Sequence, residues 1–134
     1  MNSPAPRPCR LFIFDLDGTL IDSRADIAFA LNLMLARMNM RPLHQSRIAD
    51  FVGSGVPILV ERSLREVTGR EPEGGLVEKG IVLFKEEYGN HLLDQTRLCY
   101  GVCDALDRLA WADFAVVTNK PESFSRLLVT SRLK

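Results

Sequence analysis

Charge of one sign is what this sequence lacks most plainly: 17 lysines and arginines meet 17 aspartates and glutamates, for a formal net charge of +0. Without a basic excess there is no electrostatic footprint for nucleic acid or for an anionic membrane surface, so an anionic ligand has to be held by a local site. Long hydrophobic runs are missing too. No segment approaches the ~18 to 20 apolar residues needed to cross a bilayer, and the opening Met1 to Arg10 carries prolines rather than an apolar stretch of signal-peptide length. Residues 1–9 read as a disordered arm, and the protein as cytoplasmic. Cysteine is scarce, with three residues, Cys9, Cys99 and Cys103, in no zinc spacing. Reduced thiols suit the cytoplasm. The two histidines, His44 and His91, have no serine or carboxylate constellation in sequence and read as surface or satisfied side chains.

What is present is an apolar run, Leu11-Phe12-Ile13-Phe14, that stops at Asp15-Leu16-Asp17-Gly18-Thr19-Leu20. The run fits a central parallel strand covered on both faces. Side chains alternate along a strand, so Asp15 and Asp17 point the same way while Leu16 turns into the core. Gly18 then lets the chain leave sharply. Two carboxylates at the end of a buried strand repel unless a cation or proton is shared, and Mg2+, a hard ion that takes oxygen ligands, is the natural partner. With a phosphate at the same ion, one carboxylate can attack phosphorus in line. The other can protonate the leaving oxygen and then activate water.

After Asp22 the pattern turns helical. Ser23 is placed as an N-cap with Asp26 three residues on, a capping arrangement, and Ile27, Leu31, Leu35 and Met38 follow at helical spacing. A second helix is expected over 56–67, after the turn Gly53-Ser54-Gly55 and ended by Gly69. A third carries Val77, Ile81, Phe84, Tyr88 and Leu92 behind the breaker cluster at 71–75. An all-helical stretch over 23–97, inserted after the first strand, reads as a lid that closes over a site and excludes water. The remainder, 10–22 and 98–134, reads as a discontinuous α/β core. In it Val102, Ala105, Leu106 and Leu109 form a helix leading to a strand at Phe114-Ala115-Val116-Val117. Strand, lid, helix, strand is a βαβ crossover with an insertion. Ligands of such sheets lie beyond the carboxyl ends of the strands, where Asp15 and Thr118 stand. Pro121 suits the first turn of a last helix, whose start offers amide donors to a phosphate. Thr118 and Asn119 read as phosphate- or substrate-orienting donors, and Lys120 as a phosphate ligand or a structural rim residue.

Asp15-Leu16-Asp17-Gly18-Thr19-Leu20 with Ile21-Asp22-Ser23 resembles the first motif of the haloacid dehalogenase (HAD) superfamily of phosphatases. Phe114 to Pro121 is similar to the second motif, and Thr118-Asn119-Lys120-Pro121 with Gly101-Val102 is most similar to phosphoglycolate phosphatases. The resemblance implies a HAD-like Rossmannoid parallel sheet with a helical cap, and a Mg2+-dependent phosphomonoester hydrolase working through an aspartyl phosphate. Its substrate would be a small phosphorylated metabolite, 2-phosphoglycolate. Asp15 would be the nucleophile and Asp17 the acid/base, both would hold the metal, and Gly18, Thr118 and Asn119 would bind phosphate or substrate. Arg47, Gly53, Ser54 and Gly55 fall where cap residues approach the site. The resemblance further implies a downstream lysine, acidic metal ligands and additional strands that are not found before Lys134, so a C-terminally truncated core is expected. Its first strand would keep an apolar edge open to self-association. Two alternatives stay open: a catalytically incomplete module that binds phosphate or a partner, and a sugar-phosphate phosphatase or phosphomutase of the same superfamily.

Overall fold

The structure is a computed structural model that describes residues 10–133; the expected arm at 1–9, with Cys9, lies outside the described residues. Strand β1 (Leu11–Phe14) pairs in parallel with β4 (Asp113–Val116), in the register Leu11 to Asp113 through Phe14 to Val116. A parallel pair needs a long crossover. Here that crossover contains β2 (Ile21–Asp22), α1 (Arg24–Arg37), α2 (Gln45–Ala49), α3 (Val56–Thr68), α4 (Leu76–His91), β3 (Arg97–Leu98) and α5 (Val102–Arg108), while α6 (Glu122–Arg132) follows β4. The architecture is α/β with a small parallel sheet, in agreement with the sequence expectation. The last strand starts and ends one residue earlier than its apolar pattern suggests.

The expectation of a first strand covered on both faces is corrected. Leu11 is 49% exposed and Ile13 61%, while Phe12 and Phe14 are half-buried. Among the described residues β4 alone forms a sheet with β1, and the buried core lies elsewhere. That core is assembled mainly by α1, α3 and α4, with Leu31, Met34, Leu35, Val60, Leu64, Phe84 and Tyr88 nearly or wholly inaccessible. It continues into the turn after β1 through Leu16, Leu20 and Ile21. The Asp15-Asp17 segment is therefore anchored by the leucine between its carboxylates, as strand alternation predicts.

The expected capping arrangement at Ser23 does not form. Ser23 is the N-cap residue of α1, but its side chain makes no capping bond; its hydroxyl donates to Asp17 Oδ1 instead. Asp26 turns inward, almost wholly buried, and accepts from the backbone N–H of Gln95 at 2.9 Å, the N–H of Thr96 at 2.8 Å and the Thr96 hydroxyl at 2.7 Å. Both side chains find tertiary partners stronger than a local cap. The bonds from Asp26 fix the end of the helical segment beside its beginning. A short antiparallel pairing, Ile21 with Leu98 and Asp22 with Arg97, completes that closure. Neither this two-residue ladder nor the single turn α2 carries a periodic signal, and both escape sequence reading. The helix expected over 56–67 is α3, closed by Gly69 in the left-handed conformation at φ +70°.

Two outcomes follow from this closure. Asp26→Ala strands the buried N–H and hydroxyl of Thr96 and frees the Gln95 N–H, and urea denaturation should show a loss of about 2 to 4 kcal/mol; a loss below about 0.5 kcal/mol would refute the clamp. The Arg24 guanidinium, bonded at 2.8 Å, holds the Asp22 carboxyl down at about 2, against 3.8 unperturbed. A depressed carboxyl stabilises above its unfolded pKa, so the contribution is complete above about pH 4 and fades as pH falls toward 2. Because the pair is exposed, screening limits it to about 1 kcal/mol or less. The urea-midpoint gap between wild type and Asp22→Asn should be widest at pH 5 and shrink by pH 3; a constant gap contradicts it.

Candidate functional site

The carboxyl ends of β1 and β4 lie side by side, so the turns that leave them share one cavity. Asp15 and Asp17 come from the first, Thr118, Asn119, Lys120 and Pro121 from the second. The opposite wall belongs to the helical segment: Ile27 of α1, Val52, Gly53 and Gly55 of the α2–α3 turn, Val56 and Leu59 of α3, and Phe84 and Tyr88 of α4. The cavity encloses about 30 Å³, room for one or two waters.

Asp15 is exposed, and its Oδ1 accepts from the N–H of Leu16 at 2.7 Å, which fixes the rotamer. Asp17 is held on both oxygens, Oδ1 by the Ser23 hydroxyl and Oδ2 by Lys120 Nζ at 3.1 Å. Lys120 also donates to the Tyr88 hydroxyl at 2.8 Å and lies 4.6 Å from the centre of that ring. Burial pushes the ammonium below the ordinary lysine range, with the charge of Asp17 opposing the shift. Burial, reinforced by the charge of Asp17, drives the Tyr88 hydroxyl far above the ordinary tyrosine range, so it stays neutral. The Thr118 hydroxyl accepts from the N–H of Lys120 at 3.2 Å, shaping the turn into α6, where Pro121 occupies the N-cap position rather than the first helical turn. Asn119 Nδ2 donates to the Gly53 carbonyl at 3.0 Å, joining the β4 turn to the helical segment. Gly55 sits at φ +90°, and a Cβ there would stand 3.5 Å from the Asn119 carbonyl oxygen. The conformation itself calls for glycine.

Of the residues that the sequence places at the site, Asp15, Asp17, Thr118 and Asn119 converge on the cavity, and of the expected cap residues Gly53 and Gly55 do. Gly18, Ser54 and Arg47 do not. The Gly18 amide donates to the Ile21 carbonyl at 2.8 Å, closing its own turn. Arg47 is engaged by Glu66 at 3.1 Å and Asp50 at 3.3 Å on the outside of the helical segment. Its charge finds acidic neighbours before it can reach the cavity. Lys120 enters as a central member, a role that the sequence leaves divided between phosphate ligand and rim. Tyr88 reads from the sequence as part of a hydrophobic stripe; the signal of its second role is its hydroxyl, the one polar group on a stripe of valine, isoleucine, phenylalanine and leucine.

Two carboxylates facing one small cavity match the way Mg2+ is commonly held, by one or two carboxylates with water and substrate phosphate filling the other positions. Among the described residues no cluster of three or more acidic, histidine or cysteine side chains suits a metal. Asp15 and Asp17 are the side chains that could hold a Mg2+ ion here, with water and phosphate completing its coordination, while Asp17 Oδ2 meets a cation already, in the Lys120 ammonium.

Comparison with known proteins gives a consistent picture. The chain is 40% identical over 111 residues to the phosphoglycolate phosphatase of Chromobacterium violaceum, covering 81% of this chain and 50% of that protein. It is 36% identical over 122 residues to the phosphoglycolate phosphatase of Nitrosospira multiformis, covering 90% and 54%. A crystal structure of a predicted phosphoglycolate phosphatase from Haemophilus somnus superposes with a TM-score of 0.84 at 28% identity, over 92% of this chain and 57% of that one. The chain thus spans about half the length of the curated relatives it matches. Among the described residues no helix is long and apolar enough to cross a membrane. The family model of haloacid dehalogenase-like hydrolases matches residues 12–131, and the chain belongs to that family.

Proposed function

We propose that this site hydrolyses a small phosphomonoester, 2-phosphoglycolate, to the alcohol and inorganic phosphate. The observation that carries the reading is the convergence of Asp15 and Asp17 with Thr118, Asn119 and Lys120 on one cavity at the ends of two parallel strands. The phosphoglycolate phosphatases among its relatives support the substrate class.

In this reading an Asp15 carboxylate oxygen attacks phosphorus in line, forming a carboxyl–phosphate bond as the ester P–O bond breaks. Asp17, protonated at that step, gives its proton to the departing oxygen. It then takes a proton from water, whose oxygen attacks the phosphorus and releases phosphate from Asp15. Thr118 and the amides at the start of α6 hold the phosphoryl oxygens. Mg2+ would be held by the Asp15 carboxylate, with Asp17 joining when ionised, and would supply positive charge against those oxygens.

In this reading the helical segment, which forms the opposite wall of the cavity, acts as a cap that opens to admit the substrate. Asn119 to Gly53 and Lys120 to Tyr88 are the bonds that part. The cap wall is mainly apolar, with Ile27, Val52, Val56, Leu59 and Phe84 beside the Tyr88 hydroxyl and the Gly53 carbonyl, which favours a short substrate over a sugar with many hydroxyls. A second reading, a phosphate-binding module without turnover, is favoured by the donor set, two carboxylates with no third acidic ligand among the described residues.

Phosphate release from 2-phosphoglycolate by the purified chain with Mg2+ separates the two. Turnover is expected, with Asp15→Asn lowering it by roughly 10^3-fold or more and Asp17→Asn by roughly 10^2- to 10^4-fold. No release from well-folded wild-type protein would leave the binding module as the surviving reading.

A further inference from the structure

Among the described residues the cavity is poor in positive charge. Fourteen residues line it, and Lys120 is the one among them that carries a cation; none is arginine or histidine. The expected alternative, Arg47, is bound to Glu66 and Asp50 elsewhere. The Lys120 side chain is 5% exposed and fixed at two points, Asp17 Oδ2 and the Tyr88 hydroxyl. An ammonium has three protons to donate, so one remains for a ligand. The same cavity is lined by Ile27, Val56, Leu59 and Phe84, whose side chains cannot solvate an anion. A charged group entering such a space is stable only against a fixed opposite charge.

We infer that Lys120 is the specificity-determining residue for a second anionic group on the substrate, a carboxylate a short carbon spacing from the phosphate. The inference rests on the phosphomonoesterase reading of the same site. The phosphoryl group is served by the Thr118 hydroxyl and the α6 amides, while the end remote from phosphorus faces the cap wall, where Lys120 reaches Tyr88. Tyr88, neutral and buried, holds the ammonium at the boundary between the β4 turn and the cap. A substrate carboxylate takes the third proton of Lys120 and can displace the Tyr88 hydroxyl. A substrate bearing a methyl group instead leaves the ammonium with no ligand anion in an apolar wall.

The test compares two ligands that differ only at that end, 2-phosphoglycolate and ethyl phosphate, by calorimetric binding with Mg2+ in the Asp15→Asn chain, where turnover is stopped. That chain should prefer 2-phosphoglycolate by about 10- to 100-fold, the range of a charged hydrogen bond. Adding Lys120→Met should cost 2-phosphoglycolate about 10- to 100-fold more affinity than it costs ethyl phosphate, whose own loss reads the effect of unpairing Asp17. Lys120→Gln, polar but uncharged, should give the same loss and decides the matter if the methionine variant does not fold. Equal weakening of both ligands would assign Lys120 to the phosphoryl group and overturn the inference, as would the absence of any preference in the parent. If the parent binds neither ligand, the phosphomonoesterase reading fails first, and this one with it.

Discussion

The contact on which the site depends is the one between Asp17 and Lys120, two oppositely charged side chains 10% and 5% exposed at the ends of neighbouring parallel strands. A buried pair of this kind adds little net stability compared with apolar packing, because both charges lose their water; removing one partner alone is far more damaging. Its consequence is positional. The carboxylate is held between Ser23 and Lys120, and the ammonium between Asp17 and Tyr88, so the turn after β1, the turn before α6, the start of α1 and the last turn of α4 are tied through four side chains. Each link is polar, in a region otherwise lined by Ile27, Leu59 and Phe84. The low local dielectric makes every one of those bonds matter more than it would on the surface.

The helical segment meets this arrangement with its two ends fixed together. The Asp26 carboxylate and the Ile21–Asp22 to Arg97–Leu98 ladder fasten the entry of the segment to its exit. Across the cavity, by contrast, the direct bonds from the β4 turn are those of Asn119 with Gly53 and of Lys120 with Tyr88. α1, α3 and α4 carry most of the buried core, and α6 joins them through the Tyr88–Phe124 ring contact and the bond from Arg132 to the Leu93 carbonyl. The exposed Leu11 and Ile13 show the complementary side of that arrangement, since the hydrophobic core of this chain belongs mainly to the helices and only its edge reaches the sheet.

Much of this is legible in the residues. The Leu11 to Phe14 run, the alternation that sends Leu16 inward and both aspartates to one cavity, the boundaries of α3, and the placing of Thr118 and Asn119 beyond the second strand all follow from periodicity and turn chemistry that act locally. The haloacid dehalogenase resemblance, carried by two motifs about a hundred residues apart in the chain, implies that the two strand ends meet at one site. Ser23 and Asp26 mislead for the opposite reason: their local chemistry is that of a helix cap, yet Asp17 and the Thr96 backbone offer better partners. Arg47 and Gly18 have the chemistry of phosphate-site residues, and nearby partners claim them instead.

What the sequence by itself determined is the inventory and its order: two carboxylates at a strand end, a helical insertion, then threonine, asparagine and lysine at a second strand end. Those elements are specified by side-chain period and by glycine and proline positions, which operate over a few residues. Tertiary structure alone decided which groups pair across the cavity. Lys120 could have faced solvent and Tyr88 could have been plain core; their meeting at 2.8 Å depends on how α4 packs over the sheet, a sum of many weak apolar contacts that no single residue announces.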